Sequence, residues 1–122
     1  MRIFLICPVR YNDTDEQDNI FKYGSSLEER GDIVHWPRRD TEQDDPTGGL
    51  NICRMNFKAI LNSDEIHIWY NEASNGSKFD MGGVFMLVEV LGYNKRIVLA
   101  NRDSAIDIQG KSFFKVFNQI AG

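Results

Sequence analysis

Two cysteines and two histidines are all the thiol and imidazole metal ligands that this 122-residue chain carries. None of the four stands at metal-ligand spacing from another, so no metal centre is expected. Cys7 and Cys53 lie far apart, one in an apolar strand-like run and one in a helical pattern, and read as reduced core thiols. No Gly-x-Gly-x-x-Gly follows the first strand and there is no P-loop, so no cofactor is expected either. Long hydrophobic runs are also lacking. The opening MRIFLICPV offers about seven residues of apolar strand before Pro8, too short for a membrane span or a signal-peptide core with its flanks, and a cytoplasmic protein is expected by default. An excess of positive charge is missing as well. The net charge of −4 argues against a long nucleic acid as partner.

A hydrophobic fraction of 42% and a charged fraction of 26% describe an ordinary soluble globule, and the length suits one core, so residues 1–122 are expected to form a single domain. The continuous apolar run Ile3 to Cys7 reads as a central parallel strand. Capping-box patterns at Asp13 to Gln17 open a helix over about 14–30, with Ile20, Phe21, Gly24 and Leu27 at helical spacing and Gly31 closing it. Ile33 to Trp36 is a short second strand stopped by Pro37. The polar stretch from Arg38 to Gly49 is a long connection over the edge of a sheet. A second helix carries Ile52, Met55, Ala59 and Ile60, with Asn56 on the same stripe. Glu65 to Tyr70 reads as a strand buried on both faces, and Met81, Val84, Phe85, Val88 and Leu91 mark a third helix. Arg96 to Ala100 is a fourth strand, Ala105 to Ile108 a weak fifth, and Phe113 to Ile120 a final helix. Strict alternation of strand and helix indicates a three-layer α/β/α domain, flavodoxin- or Rossmann-like, around a mostly parallel sheet of four to five strands.

In such a sheet, ligands bind at the carboxyl edge of the strands, which is where Ser74 to Asp80 fall. Asp80 is the one carboxylate in that run. Placed near a helix N-terminus, it is expected to be held ionised by the helix dipole, as suits a nucleophile or a stabiliser of positive charge. Gly82 and Gly83, read as part of the first helical turn, each cost about 1 kcal/mol relative to alanine, which implies a close approach to the backbone; a sugar fits that gap. Asn56, an amide on an apolar stripe, needs a partner, either a ligand or Asp80 itself. Arg10 and Tyr11 follow the first strand at the same edge, the arginine suited to a phosphate or carboxylate and the tyrosine to stacking on a base.

Together these stretches resemble the nucleoside 2-deoxyribosyltransferase-like superfamily, which includes deoxynucleoside 5′-monophosphate N-glycosidases. IFLICPVR (Ile3 to Arg10) is similar to the family's first strand and phosphate-side loop, NSDEIHIW (Asn62 to Trp69) to its central strand block, and GSKFDMGG with VLGYNKRIVL to its Gly-Thr-x-x-Glu-x-Gly block and following strand. The resemblance implies cleavage or transfer of an N-glycosidic bond in a nucleoside or nucleoside 5′-monophosphate, a small-molecule partner, and a homodimer or higher homo-oligomer. It puts Asp80 on the family's nucleophilic glutamate and Asn56 on the aspartate that assists at the base. It puts Arg10 and Ser74 on phosphate contacts, with Cys7, Pro8, Tyr11, Asn75, Gly76, Ser77 and Gly83 completing the substrate-binding set.

Two of these positions depart from the family's pattern. Aspartate is one methylene shorter than glutamate and withdraws its oxygens by roughly 1 Å, and an asparagine cannot pass a proton as a carboxyl does. These departures define the alternative, a non-catalytic nucleotide-binding protein with a degenerate active site.

Overall fold

The computed structural model describes residues 1–9, 14–104 and 110–122. Four parallel strands, β1 (Arg2–Ile6), β2 (Ile33–His35), β3 (Glu65–Ile68) and β4 (Arg96–Leu99), form one sheet in the order β2-β1-β3-β4. The helices are α1 (Thr14–Glu29), α2 (Pro37–Asp40), α3 (Leu50–Leu61), α4 (Asn75–Phe85) and α5 (Phe113–Ile120), with a π-helical turn at Met86–Val90 and a 3₁₀ turn at Arg102–Ser104. This is the expected three-layer α/β arrangement. The weak fifth strand at 105–108 lies outside the described residues.

Strand alternation sorts the core into two halves. Phe4 and Ile6 of β1 join Ile66 and Ile68 of β3, Ile97 and Leu99 of β4, and Ile60, Met81, Val84, Phe114 and Phe117 from α3, α4 and α5. Ile3, Leu5 and Cys7 point the other way, onto Ile20 and Leu27 of α1 and onto Val34 and Trp36. On that face β3 presents polar groups, since Glu65 and His67 point opposite to Ile66 and Ile68. His67 is buried between the Tyr23 hydroxyl, 2.5 Å from Nδ1, and the Glu65 carboxylate, 2.9 Å from Nε2. That pairing gives the histidine a structural use.

Several stripes differ from the sequence expectation. In α1 the inward positions are Gln17, Ile20, Gly24 and Leu27, whereas Phe21 is mostly exposed and packs on the Trp36 ring from outside. In α3 Met55 is turned out, and the buried positions are Asn56 and Ile60. In α4 they are Ser77, Asp80, Met81 and Val84. Phe85 and Leu91 leave the expected stripe. The π-helical turn from Met86 widens the spiral, so the residues beyond it no longer keep the phase set by Met81 and Val84.

The chain leaves β1 toward β2 and then crosses back over β1 to reach β3. The strand order therefore reverses between β1 and β3, and the crevice outside their carboxyl ends is the topological switch point of this sheet. Cys7 and Pro8 follow β1 there. Trp69 continues β3 by one further hydrogen bond, its N–H donating to the Ile6 carbonyl at 2.7 Å, and Asn71 to Ser74 lead from it into α4.

Candidate active site

Helix α4 begins at Asn75, capped by Ser74, whose Oγ accepts the Ser77 N–H at 3.3 Å and donates to Ser77 Oγ at 2.8 Å. Ser74 and Ser77 are thus brought together at the helix N-terminus, while Asn75 and Gly76 are exposed in its first turn. Asp80 lies a turn further on than the sequence reading put it, among the inward positions. The helix dipole fades within the first turn, so burial governs this carboxyl. Its residue is 9% exposed, and no side chain or backbone group among the described residues hydrogen-bonds or ion-pairs with it. Desolvation raises its pKa to about 7. The expectation of a carboxylate held ionised by the dipole is corrected accordingly: near neutral pH Asp80 is divided between acid and anion.

Cys7, at the end of β1, feels the Asp80 charge. Burial pushes its thiol up to about 12, with the Trp36 side chain and the Arg38 charge opposing the shift and Asp80 and Glu16 adding to it. At neutral pH the thiol stays protonated, which makes it a packing group rather than a nucleophile. Pro8 is buried beside it, and its carbonyl accepts the Gln17 Nε2–H at 3.1 Å. Cys7 and Pro8 thus follow β1 at the switch point, and the Asp80 charge reaches the Cys7 thiol.

Asn56 is buried in α3, but its partner is neither Asp80 nor a ligand atom. The Thr41 hydroxyl donates to Asn56 Oδ1 at 2.8 Å, and His35 Nε2 lies 2.8 Å from the same hydroxyl. A hydroxyl has one hydrogen. Having given it to Asn56, Thr41 must accept from His35 Nε2–H, which fixes that tautomer. With its oxygen committed, Asn56 can offer only the two N–H donors of Nδ2, which meet no acceptor among the described residues.

Thr41 reaches this position because Pro37 ends β2 and starts α2, which carries the chain back over the sheet. The remainder of the connection is anchored at α3, where Asp45 accepts the N–H groups of Thr47 and Ile52 at 2.8 and 3.0 Å. It closes through Gly48 and Gly49, whose φ values of 72° and 113° favour glycine.

The two helical glycines differ. A Cβ at Gly83 would stand 2.0 Å from Phe57 Cε1, so the close approach inferred at this position is made by the Phe57 ring and not by a sugar. Gly82 faces open space. Arg10 and Tyr11 lie outside the described residues. Among the described residues no group of three His, Cys, Asp or Glu could hold a metal ion.

Sequence reasoning did not single out Thr41, which holds Asn56, or Gln17, which holds the Pro8 carbonyl. Gln17 had a signal, since it precedes Ile20, Gly24 and Leu27 at i−3, i−7 and i−10 and so shares their inward face. Nothing local marks Thr41, whose partner is 15 residues away in the chain.

Comparison with family models, with curated proteins and with solved structures returns no match.

Proposed function

We propose that the protein cleaves or transfers the N-glycosidic bond of a nucleoside or nucleoside 5′-monophosphate at Asp80. The observation that supports this reading is a buried carboxyl without a hydrogen-bond or ion-pair partner among the described residues, on the inward stripe of the helix that follows β3 in a parallel sheet. A carboxyl so placed destabilises the fold when charged, and strongly perturbed carboxyls in clefts mark functional sites.

The chemistry follows from what such a group can do. As the C1′–N bond breaks, positive charge grows on the sugar, and the Asp80 anion stabilises it or closes on C1′ to form a glycosyl ester. The base departs with the electron pair of the broken bond and takes a proton from solvent. The Asn56 Nδ2 donors suit the negative charge that develops on the leaving base, as hydrogen-bond donors and not as an acid. Water, or a second base, then attacks C1′ and releases the Asp80 carboxylate. Ser74, Ser77 and the N-terminal N–H groups of α4 suit the 5′ side of the substrate.

Incubation with a panel of ribo- and deoxyribonucleosides and their 5′-monophosphates, with and without an acceptor base, followed by chromatography, tests the reading. Free base or a new nucleoside is expected with at least one substrate, and only intact substrates would contradict it.

Asn56 in place of a proton-transferring acid favours one second reading, a nucleotide-binding protein that does not turn its ligand over. It predicts that a nucleotide raises the melting temperature and is recovered intact. It predicts also that the double change Asn56→Asp with Asp80→Glu creates turnover.

A homo-oligomer belongs to the leading reading. Phe79, Met86 and Val90, all more than half exposed, offer it an apolar face, whereas Trp36 and Phe114 are buried and do not. Light scattering reads the assembly state.

A further inference from the structure

Helices cover the sheet unevenly. Arg2, Ile33 and His35 lie on the same face as Phe4, because Arg2 pairs with Ile33 in register and His35 follows Ile33 by two residues and stacks on the Phe4 ring. Helix α3 puts Ile60 onto Phe4 and β3. The same face of the edge strand β2 stays open, and Ile33 is 62% exposed there. A cleft of about 540 Å³ results, with Arg2, Ile33 and His35 along the sheet and Ala59, Asn62 and Ser63 from the end of α3 opposite. That volume is within the range of small-molecule sites, about 300–1,000 Å³. Asp80 and Asn56 do not line it.

The acids that line the cleft are all matched, and one cation is not. Glu28 and Asp40 each pair with Arg39 at 2.8 Å, and Asp32 pairs with Arg30 and with the N-terminal ammonium group. Asp64 takes the backbone N–H of Arg2 at 2.9 Å and not its guanidinium. The Arg2 guanidinium has no ion-pair or hydrogen-bond partner among the described residues.

The hydrogen-bonding capacity left in the cleft has a definite sense. His35 gives its Nε2–H to Thr41, so Nδ1 carries a lone pair and accepts. The Asn62 side-chain amide has no partner among the described residues. Ile33 and His35 turn their N–H groups toward β1, which leaves Val34 facing out from the edge. Its carbonyl accepts Arg39 Nη2–H at 3.0 Å, and this closes the edge to a further strand. An extended peptide is therefore a poor occupant, and a small molecule a good one.

We propose that the cleft binds a small organic anion, with its carboxylate or phosphate on the Arg2 guanidinium, a hydroxyl donated to His35 Nδ1 and its carbon skeleton over Ile33. A guanidinium holds either anion through two parallel N–H groups. Strand geometry sets Arg2 and His35 about 8 Å apart at Cα, within the span of one small molecule.

The test is titration of the isotope-labelled full chain, followed by its amide chemical shifts. The probes are 3-hydroxybutyrate and glycerol 3-phosphate, their analogues without a hydroxyl, butyrate and propyl phosphate, and uncharged glycerol. Saturable shifts are expected at Arg2, Ile33, Val34 and Asn62 with at least one hydroxylated anion, and the better of the two tells a carboxylate ligand from a phosphate. Glycerol should leave these amides unmoved, and the analogue without the hydroxyl should bind at least threefold more weakly. Arg2→Gln should weaken binding at least tenfold, and so should Ile33→Glu, which sets a negative charge in the floor. Both side chains are exposed in the parent, and unchanged melting temperatures verify the fold. Comparison of the hydroxylated and plain probes uses the parent alone, so it decides even where a variant fails to fold.

The proposal is overturned if neither hydroxylated anion gives saturable shifts at these residues, if the shifts fall in α4 instead, if a folded variant binds as the parent does, or if the plain analogues bind equally well. Binding is read at the cleft and requires no turnover. Loss of the glycosidic reading would leave this site standing, and an empty cleft would leave Asp80 untouched.

Discussion

Thr41 gives its hydroxyl hydrogen to Asn56 Oδ1 at 2.8 Å and so decides which end of the buried amide is left for a ligand. Thr41→Val removes that hydrogen bond and leaves Asn56 Oδ1 and His35 Nε2 without it. Unfolding by urea should show a loss of about 1–3 kcal/mol. Thr41→Ser keeps the hydroxyl and should recover most of the loss. Equal stability of the valine variant and the parent would mean that the chain from His35 through Thr41 to Asn56 is not formed in solution.

Asp80 couples stability to pH with a definite sign. Its carboxyl titrates near 3.8 when unfolded and at about 7 when folded. Between those values the folded state holds the proton that the unfolded state has released, so stability falls as pH rises. The cost starts to accumulate above the unfolded value and is complete above about 7. Over that range it amounts to the order of 4 kcal/mol. Asp80→Asn has no charge to bury. Its advantage over the parent in chemical denaturation should be small near pH 4 and grow to a few kcal/mol near pH 8. A pH-independent difference would contradict the desolvated carboxyl.

Gly82 and Gly83 are neighbours with opposite expectations. Alanine at either position relieves the roughly 1 kcal/mol that glycine costs inside a helix. At Gly83 the new Cβ would stand 2.0 Å from the Phe57 ring, and such overpacking costs about 1–3 kcal/mol. Gly83→Ala should therefore lower the melting temperature, whereas Gly82→Ala, with open space around it, should raise it. The double change Gly83→Ala with Phe57→Leu should recover part of the loss, because the smaller side chain vacates the space.

The sheet was legible because buried parallel strands announce themselves as apolar runs. Ile3 to Cys7 and Ile66 to Ile68 needed no long-range information. The placement of Asp80 on the helix that follows β3 was legible for the same reason, as the strand, loop and helix around it each have a local signature. Its electrostatic state was not. The sequence reading began α4 too close to Asp80 and gave the carboxyl to the helix dipole, whereas Ser74 caps the helix early enough to move Asp80 onto the inward stripe. The Gly83 contact was legible as a close approach but not as to what approaches, since Phe57 lies on another helix. Thr41 acquires its partners only when the connection after β2 is brought against α3, and periodicity carries no such information.

The pH profile of kcat/KM is expected to follow the Asp80 anion. If the carboxylate attacks C1′ or stabilises its charge, the rate rises with pH through about 7 and then levels. A rate that falls through that range would make Asp80 a general acid instead.

The most direct test of the central claim is release of free base from the substrate found in the panel, measured near pH 8 with the parent and with Asp80→Asn at matched concentrations of folded protein. The account predicts loss of release by at least about a hundredfold in a variant that is as stable as the parent or more so. Undiminished release by Asp80→Asn would place the reacting group elsewhere and contradict it.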